Sequence, residues 1–121
     1  MLLTFDFTSQ EPLYIQLRNQ IVVAISRGEL CPGDHLPTIR AVSDERGVNM
    51  MPVSTAYQLL QREGYITACR RSGAVVSPRS GVLTAQTRDA LRLSVCEMRA
   101  AGLSEDEVLS LCREYYREGE K

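Results

Sequence analysis

The stretch GVNMMPVSTAYQLLQREG, residues 47–64, leaves this chain few ways to fold. It follows a short helical pattern over about 38–46, which presents Ile39 and Val42 inward and stops at Gly47. Within it Val53, Ala56, Tyr57 and Leu60 recur at i, i+3, i+4 and i+7, so a longer helix is predicted from about Met51 to Arg62, closed by Gly64. A short helix, a turn of about four residues and a longer helix have the spacing that lets the second stand across the first and project into a DNA major groove. Helical domains that bind nothing also show this spacing, so the flanking segments carry the decision.

On the N-terminal side, Leu13, Leu17, Ile21, Ala24 and Ile25 form a helical stripe over 11–27, with Pro12 in the first turn and Gly28 as the stop. ELCPGDHLP then reads as a turn-rich connection. After Gly64, two β-prone runs at 65–68 and 74–77 are joined by CRRSG, in which Gly73 suits a hairpin bend and Arg70 and Arg71 put charge at the tip. Residues 78–81 form a small-residue linker, followed by a helix over 84–101 with Leu91, Val95 and Met98 on a seam. A last helix opens with Ser104 and Glu107 at capping-box spacing and carries Val108, Leu111, Cys112 and Tyr115 on one face. The expected fold is mainly α with a small β-hairpin: an N-terminal winged helix-turn-helix over 1–78 and a C-terminal two-helix dimerisation tail over 79–121.

A chain of 121 residues buries one modest core. The net charge of −1 announces neither a nucleic-acid nor a basic partner in bulk, and the halves about residue 80 differ only slightly, so any nucleic-acid site is local. Catalysis lacks its parts: His35 is the single histidine, and there is no G-x-S-x-G, phosphate loop or dinucleotide loop. Cys31, Cys69, Cys96 and Cys112 have no metal-ligand spacing, so no metal or cofactor is expected. Without a secretory leader or an apolar span, the chain reads as a reduced, cytoplasmic protein with no membrane partner and with its cysteines as small core hydrophobes. A thiol switch at Cys69 and Cys96 is the alternative for those residues.

PLYIQL at 12–17, GELCPGDHLPTIRAV at 28–42, GVNMMPVSTAYQLLQREGYI at 47–66 and RRSGAVV at 70–76, in this order, resemble the GntR family of bacterial transcription regulators. The resemblance implies a winged helix-turn-helix that binds double-stranded operator DNA as a homodimer. The short remainder looks like the YtrA-type branch, whose tail dimerises the protein. Two apolar seams on so small a domain need a place to be buried, and a symmetric partner supplies it, as does packing back on the same chain's winged domain.

Arg40 matches the arginine of an LPSxR-like motif that contacts DNA in relatives, while a surface ion pair with Asp44 at i+4 is its bland role. Asn49 lies where relatives place a DNA-facing polar residue, yet suits a helix cap equally. Ser54, Thr55 and Gln58 lie opposite the Val53 seam, available to phosphates or base edges or simply solvated. Met50 and Met51 stand where relatives usually carry a polar residue or arginine, and either pack on thymine methyls or cover the core beneath the turn. The wing departs from the family's Gly-x-Gly-Thr-aromatic-Val pattern, keeping Gly73 and substituting the charge of Arg70 and Arg71 for phosphate or minor-groove contact. The tail contacts are expected at Leu91, Val95, Met98, Val108, Leu111, Cys112 and Tyr115.

The function expected from these residues is a dimeric repressor on a near-palindromic operator. Two rivals stand beside it: a ligand-responsive sensor with an unknown small-molecule effector between winged domain and tail, and a winged-helix module for protein contact that uses the methionines as a docking patch.

Overall fold

The computed structural model describes residues 3–69, 73–78 and 83–118. In chain order they form α1 (Leu13–Ser26), α2 (Ile39–Arg46), α3 (Met50–Arg62), β1 (Ile66–Cys69), β2 (Gly73–Val76), α4 (Ala85–Ala100) and α5 (Glu105–Glu118). The chain divides into two compact units, Met1–Arg79 and Ser80–Lys121. The predicted linker residues 79–81 lie outside the described residues, as do Arg70 and Arg71.

In the first unit the two long apolar stripes become the core. Leu17, Ile21, Ala24 and Ile25 of α1 are buried with Val53, Ala56, Tyr57 and Leu60 of α3, and Val42, Val48, Ile66 and Val76 join the same cluster. Each large side chain removed from water in this way contributes roughly 1.5–3 kcal/mol. Pro12 takes the cap position ahead of α1, one residue outside the first turn expected for it. Its φ of −58° suits either place, because the ring fixes φ near the helical value and the cap N–H has no helical partner.

Two features of this unit were not foreseen. Residues before α1 lie along that helix: the Gln16 side-chain amide accepts from the Asp6 N–H at 2.8 Å and donates to the Asp6 carbonyl at 3.0 Å, while Gln20 accepts from the Thr4 N–H at 2.8 Å and donates back to the Thr4 carbonyl. These paired amide contacts dock Leu3 into the core. The turn-rich connection is also more than a turn, since Gly33 N–H donates to the Val76 carbonyl, Val76 N–H to that of Asp34 and Leu36 N–H to that of Ala74, all at 2.9 Å. β2 is thereby bonded on both sides, to β1 and to residues 33–36.

The antiparallel pair runs from Ile66 opposite Val76 to Cys69 opposite Gly73, one residue away from the predicted strand bounds at each end. The cause is the end of α3. Gly64 at φ +88° reverses the chain, and the Tyr65 N–H is used by the Leu60 carbonyl at 2.9 Å, so Tyr65 keeps only one bond to the other strand, from the Ser77 N–H to its carbonyl at 2.9 Å, and the full register begins at Ile66. Gly73 correspondingly opens β2 and is not part of the bend.

Arg18 links α1 to the end of α3. Its Nε donates to Oε1 of Glu63 at 2.9 Å and its Nη2 to Oε2 at 3.0 Å, with the guanidinium 5.6 Å from the centre of the Tyr65 ring. The Glu63 carboxylate raises the Arg18 pKa above its ordinary value. Because the pair is forked and only 22% and 23% exposed, Arg18→Ala is expected to lower the stability of this unit by about 1–2 kcal/mol in urea unfolding. A loss no larger than that of Arg18→Lys would show that the forked geometry contributes nothing.

The second unit is a pair of helices. The Thr84 hydroxyl accepts from the Thr87 N–H at 3.2 Å to cap α4, and the predicted capping box is formed: Ser104 N–H donates to Oε1 of Glu107 at 3.0 Å and Glu107 N–H to the Ser104 hydroxyl at 3.2 Å. The Ser104 N–H, helped by the Ser104 hydroxyl, holds the Glu107 carboxyl below its usual pKa. Between the helices, Leu103 N–H donates to the Met98 carbonyl at 3.1 Å and Gly102 N–H to that of Arg99 at 3.0 Å, a glycine-ended helix stop.

Here the cysteine expectation is corrected. Cys31, Cys96 and Cys112 are exposed and are not core residues. Cys31 sits in the turn after α1, its thiol 3.4 Å from the Gly28 carbonyl, and the other two lie on a helix pair that buries only Val108 among its described residues. No described helix is long and apolar enough to cross a membrane.

Candidate nucleic-acid interface

Local hydrogen bonds join the segments around α3. Thr38 caps α2, its hydroxyl accepting from the Ala41 N–H at 3.1 Å. At the other end Gly47 adopts φ +65°, a left-handed turn that a side chain at Cβ would oppose, and the Ser43 hydroxyl donates to the Val48 carbonyl across the turn. The Tyr57 hydroxyl donates to the Pro37 carbonyl at 2.6 Å, tying α3 to the segment that leads into α2. Burial pushes the Tyr57 phenol up to about 12, so it remains a neutral donor throughout the physiological range.

With Val53, Ala56, Tyr57 and Leu60 turned inward, the opposite side of α3 faces out. Met51, Ser54, Thr55 and Gln58 follow one another there at i, i+3, i+4 and i+7, with Met51 and Gln58 exposed and the two hydroxyl residues half-buried. Arg40, in the first turn of α2, is exposed and makes no ion pair with Asp44. An open groove of about 770 Å³ runs between the starts of α2 and α3 and the hairpin strands, and it gathers Arg40, Met50, Met51, Ser54, Gln58 and Gly73 onto one surface.

Asn49 and Thr55 lie outside that groove. Asn49 occupies the cap position of α3 and is exposed, but its side chain makes no capping hydrogen bond, so the cap role weighed for it is not the one it plays. Thr38 and Gln61 line the groove without having been singled out. Gln61 was within reach of the sequence pattern, being seven residues beyond Ser54 on the same stripe; Thr38 was not, because only folding sets the start of α2 beside α3.

On the second unit Val108 is already covered within the chain, and Met98 and Leu111 are half-buried. Leu91 at 55% and Tyr115 at 62% are exposed, Val95 and Cys112 likewise, and so are Leu93, Leu109 and Tyr116, which the seam pattern did not select.

Residues 13–76 match the family described as bacterial regulatory proteins, gntR family. The chain belongs to the gntR family. It is similar to YhcF of Bacillus subtilis (strain 168), described as an uncharacterized HTH-type transcriptional regulator, with 30% identity over 108 residues, 86% of this chain and 89% of that one. Among solved structures it resembles YtrA from Sulfolobus acidocaldarius, a GntR-family transcription factor (35% identity, TM-score 0.69, covering 83% of this chain and 99% of that one). It also resembles a Listeria monocytogenes EGD-e protein described as a transcriptional antiterminator (27% identity, TM-score 0.87, covering 98% and 92%). The fold is shared with the DNA-binding domain of AraR, solved in complex with operator ORX1 (22% identity, TM-score 0.55, covering 61% and 93%). This gntR protein is thus a YtrA-like transcriptional regulator with a DNA-binding winged unit, mainly helical with a two-stranded hairpin.

Proposed function

We propose that this gntR protein is a cytoplasmic repressor that binds a near-palindromic operator as a homodimer. The reading is carried by Met51, Ser54 and Gln58 on the outward side of α3, which with Arg40 line one open groove beside the hairpin. In this reading α3 lies in the major groove, Arg40, Asn49, Ser54, Thr55 and Gln58 contact phosphates or base edges, and the hairpin with Arg70 and Arg71 reaches the flanking backbone.

The tail supplies the second copy. Leu91, Val95 and Tyr115 are exposed apolar side chains on a helix pair too thin to cover them itself, and a twofold contact removes them from water at once. Two winged units held this way set two copies of α3 about one DNA turn apart. A net charge of −1 gives a single copy little general attraction for DNA, so pairing supplies the affinity. A dimer seated on the operator excludes polymerase, and repression needs no further part.

The test is titration of the purified chain with duplex DNA from upstream of its own gene and with a scrambled duplex, across a salt series. Selective binding is expected, and Arg40→Ala should lower it about tenfold or more. Weak binding to both duplexes that salt erases equally would count against an operator, and an unchanged affinity in Arg40→Ala would remove that residue from the interface.

A further inference from the structure

The first two residues of α3, Met50 and Met51, are the least expected part of the groove. Met50 is 48% exposed and Met51 75% exposed. Neither belongs to the core or to the partly buried side chains packed against it, to which α3 contributes Val53, Ala56, Tyr57 and Leu60. Of the roles open from the sequence, burial excludes covering the core and leaves contact with thymine methyls or a protein-docking patch.

Met51 begins the same stripe as Ser54, Thr55 and Gln58, so any surface that meets those polar side chains also meets the thioether. The N-terminal residues of a groove-reading helix are the ones that reach base edges. Along the major-groove edge the polar features are hydrogen-bond donors and acceptors, and the one alkyl group is the C5-methyl of thymine. An unbranched, polarisable thioether fits around a methyl group, whereas placed against N7, O6, N4, N6 or O4 it strips water from a polar atom and returns no hydrogen bond. Attraction to one base and a penalty against the others is a working basis for specificity.

We infer that Met51, with Met50 beside it, is a specificity-determining residue that reads thymine C5-methyl groups in the operator. This rests on the reading of α3 as the DNA-contacting helix. Each half-site then carries at least one thymine under the start of α3, and this sequence preference is set by an apolar contact in place of a forked polar one.

The probe is a duplex recovered from a random pool by the full chain, resynthesised with deoxyuridine in place of thymidine at single positions, so that only a methyl group is removed. Wild type should lose about fourfold in affinity for each methyl that Met51 covers. Met51→Ala should bind the thymine and uracil duplexes alike, and Met51→Leu should restore the discrimination. Arg40→Ala should weaken both duplexes by the same factor and leave their ratio unchanged. Wild type binding both alike while still rejecting scrambled DNA overturns the methyl reading and leaves operator binding standing. Discrimination that persists in the double change Met50→Ala, Met51→Ala also overturns it, because the methyl is then sensed elsewhere. Equal, weak binding to selected, uracil and scrambled duplexes overturns operator binding as well.

Discussion

Replacing Leu91 and Val95 with aspartate is expected to leave the winged unit folded and to lower operator affinity by two orders of magnitude or more. Both side chains are exposed in a single chain, so the change removes nothing from the core, which lies in Met1–Arg79. In a twofold tail contact they would meet a partner's apolar surface, where an unpaired carboxylate is too costly to keep. Loss of the second copy turns a bivalent ligand into a monovalent one, and linked binding is typically worth about 10²–10⁴ in affinity. Sedimentation of the free variant should show a monomer, and DNA titration should show the loss. Undiminished affinity in a monomeric variant would separate DNA binding from dimerisation and remove the tail's proposed role. Leu111 is a poorer site for this change because it is half-buried within the helix pair, where a charge would disturb the tail itself.

Leu60→Ala should act in the opposite place. Leu60 is fully buried at the end of the α3 stripe, and truncation there leaves a cavity among well-packed neighbours. A cost of about 2–5 kcal/mol is expected. For a unit of this size that lowers Tm by about 10 °C or more. Thermal and urea unfolding followed on the winged unit should show it, while Leu109→Ala, at an exposed position of α5, should change Tm little in the monomer. A loss below about 1 kcal/mol for Leu60→Ala would mean that α3 is not seated on α1 through this residue.

The amphipathic helices were legible because their signal is local. Val53, Ala56, Tyr57 and Leu60 lie on one side of any helix drawn through them, and a single core then buries all four. The Ser104 and Glu107 box was legible for the same reason, since both partners lie within one turn. The strand bounds were missed by one residue because the Tyr65 N–H belongs to the α3 cap, a choice between two partners that composition does not reveal. The exposed cysteines were missed because a small apolar side chain is buried only where a second layer covers it, and neither the turn that carries Cys31 nor the exposed positions of Cys96 on α4 and Cys112 on α5 are so covered.

For the candidate site the division is similar. Arg40, Ser54 and Gln58 could be named from motif and helical phase, whereas the place of Thr38 in the groove, the unused side chain of Asn49 and the exposure of the methionines depend on how α2, α3 and the hairpin meet. The sequence by itself determined which stretches are helices, where glycines end them, and which faces are apolar, because those properties rest on contacts within one or two turns. Only the tertiary structure decided that residues 33–36 bond to β2, that Gln16 and Gln20 fasten the N-terminal segment, and that Met51 faces outward, because each depends on groups far apart in the chain competing for one partner or one patch of core.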